Sequence, residues 1–74
     1  MRKWLVDRRK NRGMTQMDIA AKAGISRAYY TQLETGQRDP SIKVAIRLAE
    51  ILDLEWTWFY EKHMTSRSEQ SAYL

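Results

Sequence analysis

Apolar residues recur at helical spacing along most of the chain, and no stretch alternates apolar and polar positions for long enough to indicate a β-strand. A first helix is predicted over residues 2–12, with Trp4 and Leu5 on its apolar side and Gly13 at its end. We therefore expect an all-α fold.

The next two predicted helices carry clear start and stop signals. Thr15 is expected to cap the second helix, with Asp18 three positions later completing a capping box, and Gly24 is expected to end it. Ser26 then caps a third helix, which Gly36 closes. Because only three residues separate these two helices, their axes must cross sharply over a short turn.

The loop "GQRDPS" leads to a fourth helix, capped either by Ser41 or by Asp39 with Pro40 at the first helical position. Its main apolar stripe is predicted to be Ile42, Ala45, Ile46, Ala49 and Leu52, widened by Val44, Leu48 and Ile51. Trp56 and Phe59 suit a short fifth helix that closes the core.

The length of 74 residues predicts one small domain, which we place at residues 1–63. Residues 64–74 are polar and lack a helical stripe, so we expect a disordered tail. The chain has no cysteine, which excludes a disulfide framework and thiolate metal sites.

The net charge of +4 is concentrated near the amino terminus, where the first twelve positions hold six basic residues against one acidic residue. A basic face suits a polyanion such as nucleic acid, although it can also serve only solubility. No stretch approaches the ~20 apolar residues of a membrane span, and the signal-peptide pattern is missing. These absences predict a cytoplasmic protein without a membrane partner.

The sequence shows no constellation for catalysis. It has no paired carboxylates, no nucleophile with an adjacent base and no phosphate-cradling glycine loop, so we expect no enzyme, no catalytic residue and no cofactor. His63 has no second ligand near it, and a metal site is not expected.

Two helices joined by a tight glycine turn, the second of them polar on its outer side, have the organisation of a helix-turn-helix DNA reader. In the second of these, residues 27–35, Tyr30 and Leu33 lie opposite the polar face. The residues predicted to face base edges are Arg27, Ala28, Thr31 and Gln32. Arg27 has the geometry to bind guanine O6 and N7, and Gln32 to bind adenine N6 and N7.

The run "RKNRGMTQMDIAAKAGISRAYYTQLETGQRDPS", which begins at Arg9, resembles the phage repressor and Cro-like helix-turn-helix family, often called XRE. The landmarks are Thr15-Gln16, Ile19-Ala20, Gly24-Ile25-Ser26, Leu33-Glu34, Gly36, Pro40-Ser41 and Ala49 with Leu52. The resemblance covers residues 5–59 and implies a five-helix, lambda-repressor-like domain that binds an operator, usually as a homodimer.

The resemblance also assigns roles to residues. It implies the four base-facing positions named above, and a salt bridge between Arg9 and Glu34. The positions expected to contact the DNA backbone are Gln16, Ser26, Tyr29, Thr35, Gln37 and Arg38, with Tyr29 partly packed. Surplus apolar residues, expected to form a homodimer interface, are Val44, Ile51, Trp58 and Tyr60.

Three features depart from the family pattern, one of them being the surplus aromatics Trp58 and Tyr60. Arg8 stands where the family often has an aliphatic residue, and we expect its stem to lie on the core with its charge outward. Tyr30 stands where isoleucine or valine is common, and its hydroxyl needs a partner.

The sequence therefore predicts a bacterial or phage-encoded transcription regulator that binds double-stranded DNA. The expected form is a homodimeric repressor on a near-palindromic operator, from a phage or another mobile element, with a regulatory protein partner possible. The alternative is a protein-interaction module or antitoxin-type protein that binds its partner through the aromatic carboxy-terminal patch.

Overall fold

The computed structural model describes residues 1–61. Within that range all of the regular secondary structure is helical. Four helices are α1 (Lys3–Asn11), α2 (Gln16–Ala23), α3 (Arg27–Thr35) and α4 (Ile42–Leu52). A fifth, α5, begins at Trp58 and reaches residue 61. The prediction of an all-α fold with five helices is confirmed. The predicted tail and His63 lie outside the described residues.

Side-chain caps fix where α2, α3 and α4 begin. Thr15 accepts a hydrogen bond from the Asp18 N–H at 3.0 Å, and the Asp18 carboxylate accepts from the Thr15 N–H at 2.9 Å. These are the two bonds of a capping box, and they lower the pKa of Asp18. Ser26 accepts from the N–H of Tyr29 at 3.0 Å. Ser41 caps α4, which decides between the two predicted caps.

Left-handed glycines end α2 and α3. Gly24 has a φ of 71° and Gly36 a φ of 85°, both in the region that favours glycine. The turn at Gly24 lets α3 cross α2 after three residues, and α2 packs against both α3 and α4. The turn therefore presents α3 at the surface with one side against the core.

The core lies between the five helices. Its largest fully buried side chains are Tyr30, Phe59, Leu5, Ile19, Leu33, Leu48 and Leu52. Burial of side chains of this size contributes roughly 1.5–3 kcal/mol each, so packing supplies most of the stability of this chain. The core holds the inner side of α3 and leaves its outer side to solvent.

The predicted apolar stripe of α4 is wrong in part. Ile42 and Ile46 are 59% and 40% exposed, whereas Val44 and Leu48 are buried. The Arg47 guanidinium donates to the Ala23 carbonyl at 3.2 Å, which links α4 to the end of α2. Val44, predicted at a dimer interface, thus belongs to the core of the single chain. The sequence of α4 has two apolar stripes of similar width, so tertiary packing determines which of them is buried.

Arg2 ties the amino terminus to the end of α3. Its side chain is only 4% exposed and donates to the carbonyls of Leu33 at 2.6 Å and Arg38 at 3.0 Å. It also pairs with the carboxylate of Asp39, and its backbone N–H donates to the Glu34 carbonyl at 2.7 Å. The guanidinium therefore satisfies backbone carbonyls at the carboxy-terminal end of a helix, where a cation is favourable.

Arg8 plays the same part at the end of α4. Its guanidinium donates to the carbonyls of Asp53 at 2.7 Å and Leu52 at 3.4 Å, and it lies 5.3 Å from the centre of the Trp58 ring. The guanidinium therefore lies near the surface, where these carbonyls and the ring hold it. Arg2 and Arg8 are therefore structural members of the basic run.

Candidate nucleic-acid interface

The outer side of α3 is accessible. Arg27 and Ala28 are exposed, and Thr31 and Gln32 are partly exposed, while Tyr30 on the inner side is fully buried. The structure thus brings the four predicted base-contacting residues together on one accessible face. Within residues 1–61, Arg27 has no ion-pair partner.

A hydrogen-bonded network lies behind this face, with Glu34 at its centre. The Glu34 carboxylate accepts from Arg9 Nε at 2.6 Å and Nη2 at 3.4 Å, so the predicted salt bridge is present. The same carboxylate accepts from Gln16 Nε2 at 2.8 Å. Three helices therefore meet at one buried carboxylate.

The ionisation of Glu34 follows from these contacts. Burial acts to raise its pKa, but the hydrogen bond from Arg9, the nearby Tyr30 hydroxyl and the hydrogen bond from Gln16 together outweigh burial, and the pKa is lowered. The hydrogen bond to Glu34 in turn raises the pKa of Arg9. Both members of the pair are therefore charged. After Arg2 and Arg8, Arg9 is the third cation of the basic run that is held by contacts within the chain.

The network reaches the outer face of α3 through Gln16. Thr31 donates from Oγ1 to Gln16 Oε1 at 3.1 Å, across the two helices of the motif. This bond could not be predicted from the sequence, because Gln16 and Thr31 are fifteen positions apart and each suits DNA contact on its own. Both residues are consequently oriented by the protein.

Tyr30 lies against the Glu34 carboxylate of this network. Burial, with the neighbouring Glu34 carboxylate, raises the pKa of its hydroxyl. Among the described residues that hydroxyl makes no hydrogen bond of normal geometry. The expectation that Tyr30 would find a partner is not met.

The last residue of α3 and the loop after it carry other residues predicted to contact the DNA backbone. Thr35, Gln37 and Arg38 are exposed, and the Arg38 guanidinium lies 5.2 Å from the centre of the Tyr29 ring. The Tyr29 hydroxyl accepts from the Ser41 N–H at 3.3 Å, and its ring packs partly on the core. Tyr29 thus connects the surface of α3 to the start of α4.

A shallow cavity of about 430 Å³ opens between the end of α1 and the starts of α2 and α3. It is lined by Arg9, Lys10, Gly13, Met14, Thr15, Gln16, Met17 and Arg27. Lys10 was not among the predicted contacts, although its place next to Arg9 in the basic run was a usable signal. Two exposed cations, Lys10 and Arg27, border this cavity, which suits a polyanion.

A separate group of exposed apolar side chains lies on α4 and in the turn before α5. Ile42, Ile46 and Trp56 are exposed, and we call them the α4–α5 apolar patch. Of the residues predicted at a dimer interface, Ile51, Trp58 and Tyr60 are half-buried. The Trp58 ring packs edge-on against Trp4 at 5.7 Å between ring centres, and the Tyr60 hydroxyl donates to the Pro40 carbonyl at 2.7 Å. Each of these two therefore has a partner within its own chain.

Within residues 1–61, no group of three potential metal ligands occurs, and none of the helices has the length and apolarity to cross a bilayer. The crossed helices, the glycine turn and the accessible polar face together define a helix-turn-helix DNA-binding protein. The sequence agrees with this class, since residues 5–59 match the family described as "HTH_3: Helix-turn-helix". The chain belongs to this family of DNA-binding transcriptional regulators, which are not enzymes.

Similar proteins carry names of the same kind. The chain is 48% identical over 61 residues to "Uncharacterized HTH-type transcriptional regulator YqaF" of Bacillus subtilis (strain 168), covering 82% of this chain and 80% of that protein. It is 44% identical over 46 residues to "Uncharacterized HTH-type transcriptional regulator YqaE" of the same organism, covering 62% and 40%.

A phage protein is also similar. The "ImmF control region 10 kDa protein" of Bacillus phage phi105 is 35% identical over 49 residues, which cover 66% of this chain and 54% of that protein. No solved structure matches the chain. The resemblance predicted from the sequence is confirmed at the level of the family.

Proposed function

We propose that this protein is a repressor that binds a specific double-stranded DNA site by placing α3 in the major groove. The observation that carries the proposal is the accessible outer face of α3, on which Arg27 stands exposed without an ion-pair partner among the described residues. The major groove is wide enough to admit one α-helix and offers donors and acceptors that distinguish the four base pairs.

The proposed division of roles follows from where the side chains lie. Those on the outer face of α3 would contact base edges, namely Arg27, Ala28, Thr31 and Gln32. Those around it would contact the DNA backbone, namely Gln16, Ser26, Tyr29, Thr35, Gln37 and Arg38. Backbone contacts fix the position of the domain on the duplex, and base contacts supply specificity.

We also propose that two copies bind a near-palindrome. The α4–α5 apolar patch supports a two-fold interface, because such an interface presents the same surface from both copies. Ile51, Trp58 and Tyr60 would border it. Two recognition helices would then enter successive major grooves about 34 Å apart. Sedimentation should show a dimer on DNA, and Ile46→Glu should shift it to a monomer; a monomeric wild-type complex would refute this part.

We propose occlusion as the mechanism of regulation, because it requires only that the protein bind DNA. A dimer seated on a promoter in the bacterial cytoplasm would block access of polymerase. The likeness to a phage protein named for a control region supports a role in a phage or another mobile element.

The test is selection of bound sites from a random DNA pool. Wild type should yield one enriched consensus, and Arg27→Ala and Gln32→Ala should each lose preference at a distinct position. Lys22→Ala, at the other end of α2 from Gln16, is the matched control and should retain the consensus. Unchanged consensus in both α3 variants would reject the proposed base contacts.

The rival function, an interaction module built on the aromatic carboxy-terminal patch, has less support. Trp58 and Tyr60 are engaged within the chain, so the aromatic surface is smaller than the sequence suggested. DNA binding and protein binding also differ in their response to salt. Only for DNA binding should the logarithm of the binding constant fall linearly with the logarithm of the salt concentration.

A further inference from the structure

The hydrogen bonds behind α3 form a directed chain. Arg9 donates to Glu34, Gln16 donates to Glu34, and Thr31 donates to Gln16. This series of hydrogen bonds begins on α1, passes through the first residue of α2 and ends on the outer side of α3. Its direction determines which groups Thr31 can offer to DNA.

The direction is fixed by the carboxylate. An ionised carboxylate only accepts hydrogen bonds, and the lowered pKa of Glu34 keeps it ionised. The Gln16 atom that lies 2.8 Å from Glu34 Oε1 must therefore be the amide nitrogen. The amide oxygen of Gln16 is then turned toward Thr31, at 3.1 Å from Oγ1. Since an amide oxygen cannot donate, the Thr31 hydroxyl must do so.

A threonine hydroxyl has one hydrogen and two lone pairs. The hydrogen of Thr31 is committed to Gln16, so only the two lone pairs and the methyl group remain for an external partner. Thr31 is partly exposed on the same face as Arg27 and Ala28. Gln16 still has one unused amide hydrogen, which leaves it able to contact a phosphate as proposed above.

We propose that Thr31 acts as an obligate hydrogen-bond acceptor and selects an amino base, adenine or cytosine, at one position of the contacted strand. In the major groove adenine N6 and cytosine N4 donate, whereas guanine O6 and thymine O4 accept. The Thr31 acceptor pairs with the first two bases and repels the second two. This inference rests on the proposed DNA-binding function and adds the class of base that Thr31 reads.

The first experiment repeats the site selection with Thr31→Val, which keeps the shape of the side chain and removes the acceptor. Wild type should show one position per half-site at which adenine or cytosine is enriched about fivefold over guanine or thymine, the size of one hydrogen bond. Thr31→Val should lose that preference and leave the positions read by Arg27 and Gln32 unchanged. Gln32→Ala serves as the matched control, since it should alter a different position.

The second experiment reverses the direction of these hydrogen bonds. In Glu34→Gln the new side-chain amide can accept from Arg9 and donate to the oxygen of Gln16. The Gln16 amide then turns its nitrogen toward Thr31, and the Thr31 hydrogen is released for DNA. The preference at the Thr31 position should change from adenine or cytosine to guanine or thymine, an outcome that a merely structural role for Glu34 does not produce.

Gln16→Met provides a second variant if Glu34→Gln does not fold. It removes the acceptor for Thr31, so the hydroxyl rotates freely and the preference at that position should fall toward equality of the four bases. Retention of the wild-type preference in Gln16→Met would overturn the inference.

The outcomes separate this inference from the proposed function. A wild-type consensus that depends on Arg27 and Gln32 but is unchanged by Thr31→Val, or that has guanine or thymine at the Thr31 position, overturns the inference and leaves the function intact. A wild type that enriches no sequence overturns both.

Discussion

Single polar side chains set the arrangement of the helices in this small protein. Arg2 and Arg8 each bind carbonyls at the end of a helix that is distant in sequence, and Arg9 holds the carboxylate of Glu34. Each of these arginines therefore links two elements of the fold. Half of the basic run near the amino terminus is thus used for folding.

Replacing Arg2 should be costly. In Arg2→Ala the carbonyls of Leu33 and Arg38 lose a charged donor, and hydrogen bonds to charged groups contribute about 1.5–3 kcal/mol each. We expect the free energy of unfolding, measured in urea, to fall by about 3 kcal/mol. Lys3→Ala, at the exposed neighbouring position, should change it by less than about 0.5 kcal/mol. Equal effects in the two variants would contradict the structural role of Arg2.

The lowered pKa of Glu34 predicts a pH dependence. The folded pKa lies below the ordinary value of 4.5, so the carboxylate contributes its full stabilisation above pH 4.5. As pH falls below 4.5 the unfolded chain takes up the proton first, and the contribution is lost as pH approaches the folded pKa.

Urea unfolding from pH 7 down to pH 3 should show this loss. Glu34→Gln is the control, because it lacks the titrating group while other carboxylates such as Asp18 still titrate. The difference in unfolding free energy between wild type and Glu34→Gln should shrink below pH 4.5. A difference that stays constant over the whole range would show that Glu34 is not stabilised as an anion.

At the scale of the element, the starts and ends of α2 and α3 could be predicted because their signals are local. Thr15 and Ser26 act on N–H groups three residues away, and Gly24 sets the turn by its own backbone. The buried side of α4 could not be predicted, because it depends on helices distant in sequence. The same holds for Arg2 and Arg8, whose partners lie more than thirty positions away.

The turn between α2 and α3 should tolerate few replacements at Gly24. A Cβ there would meet the Arg47 guanidinium at 3.5 Å, an ordinary contact, so the cost of Gly24→Ala arises from the left-handed backbone and should be about 1–2 kcal/mol. Gly24→Asn should cost less, since asparagine adopts this conformation more readily. Thermal unfolding of the two variants checks the order, and a more stable Gly24→Ala would refute the argument.

The whole molecule has two surfaces of different character. Lys10 and Arg27 border the cavity beside α3, and the α4–α5 apolar patch lies on α4 and in the turn before α5. The class of function was predictable from the sequence because the polar face of α3 is encoded within nine residues. The position of the apolar patch was not, since it emerges only when α4 is fixed against α2.

This distribution of charge predicts a specific effect on DNA binding. Lys10→Gln should lower the slope of log K against log salt by about 0.9, the value for one phosphate contact on duplex DNA. Lys22→Gln removes the same charge from the far end of α2 and should leave the slope unchanged. Titration of a labelled operator at several salt concentrations measures both, and equal slopes in wild type and Lys10→Gln would exclude that contact.

The buried hydroxyl of Tyr30, which makes no hydrogen bond of normal geometry, is a site at which thermal stability can be raised. A buried hydroxyl without a partner costs about 1 kcal/mol or more, and phenylalanine fills the same space without it. Tyr30→Phe should therefore raise the melting temperature while the consensus from site selection stays the same, and a lower melting temperature would show that the hydroxyl is bonded. The position faces away from the groove, so robustness can be gained there without altering which genes the protein recognises.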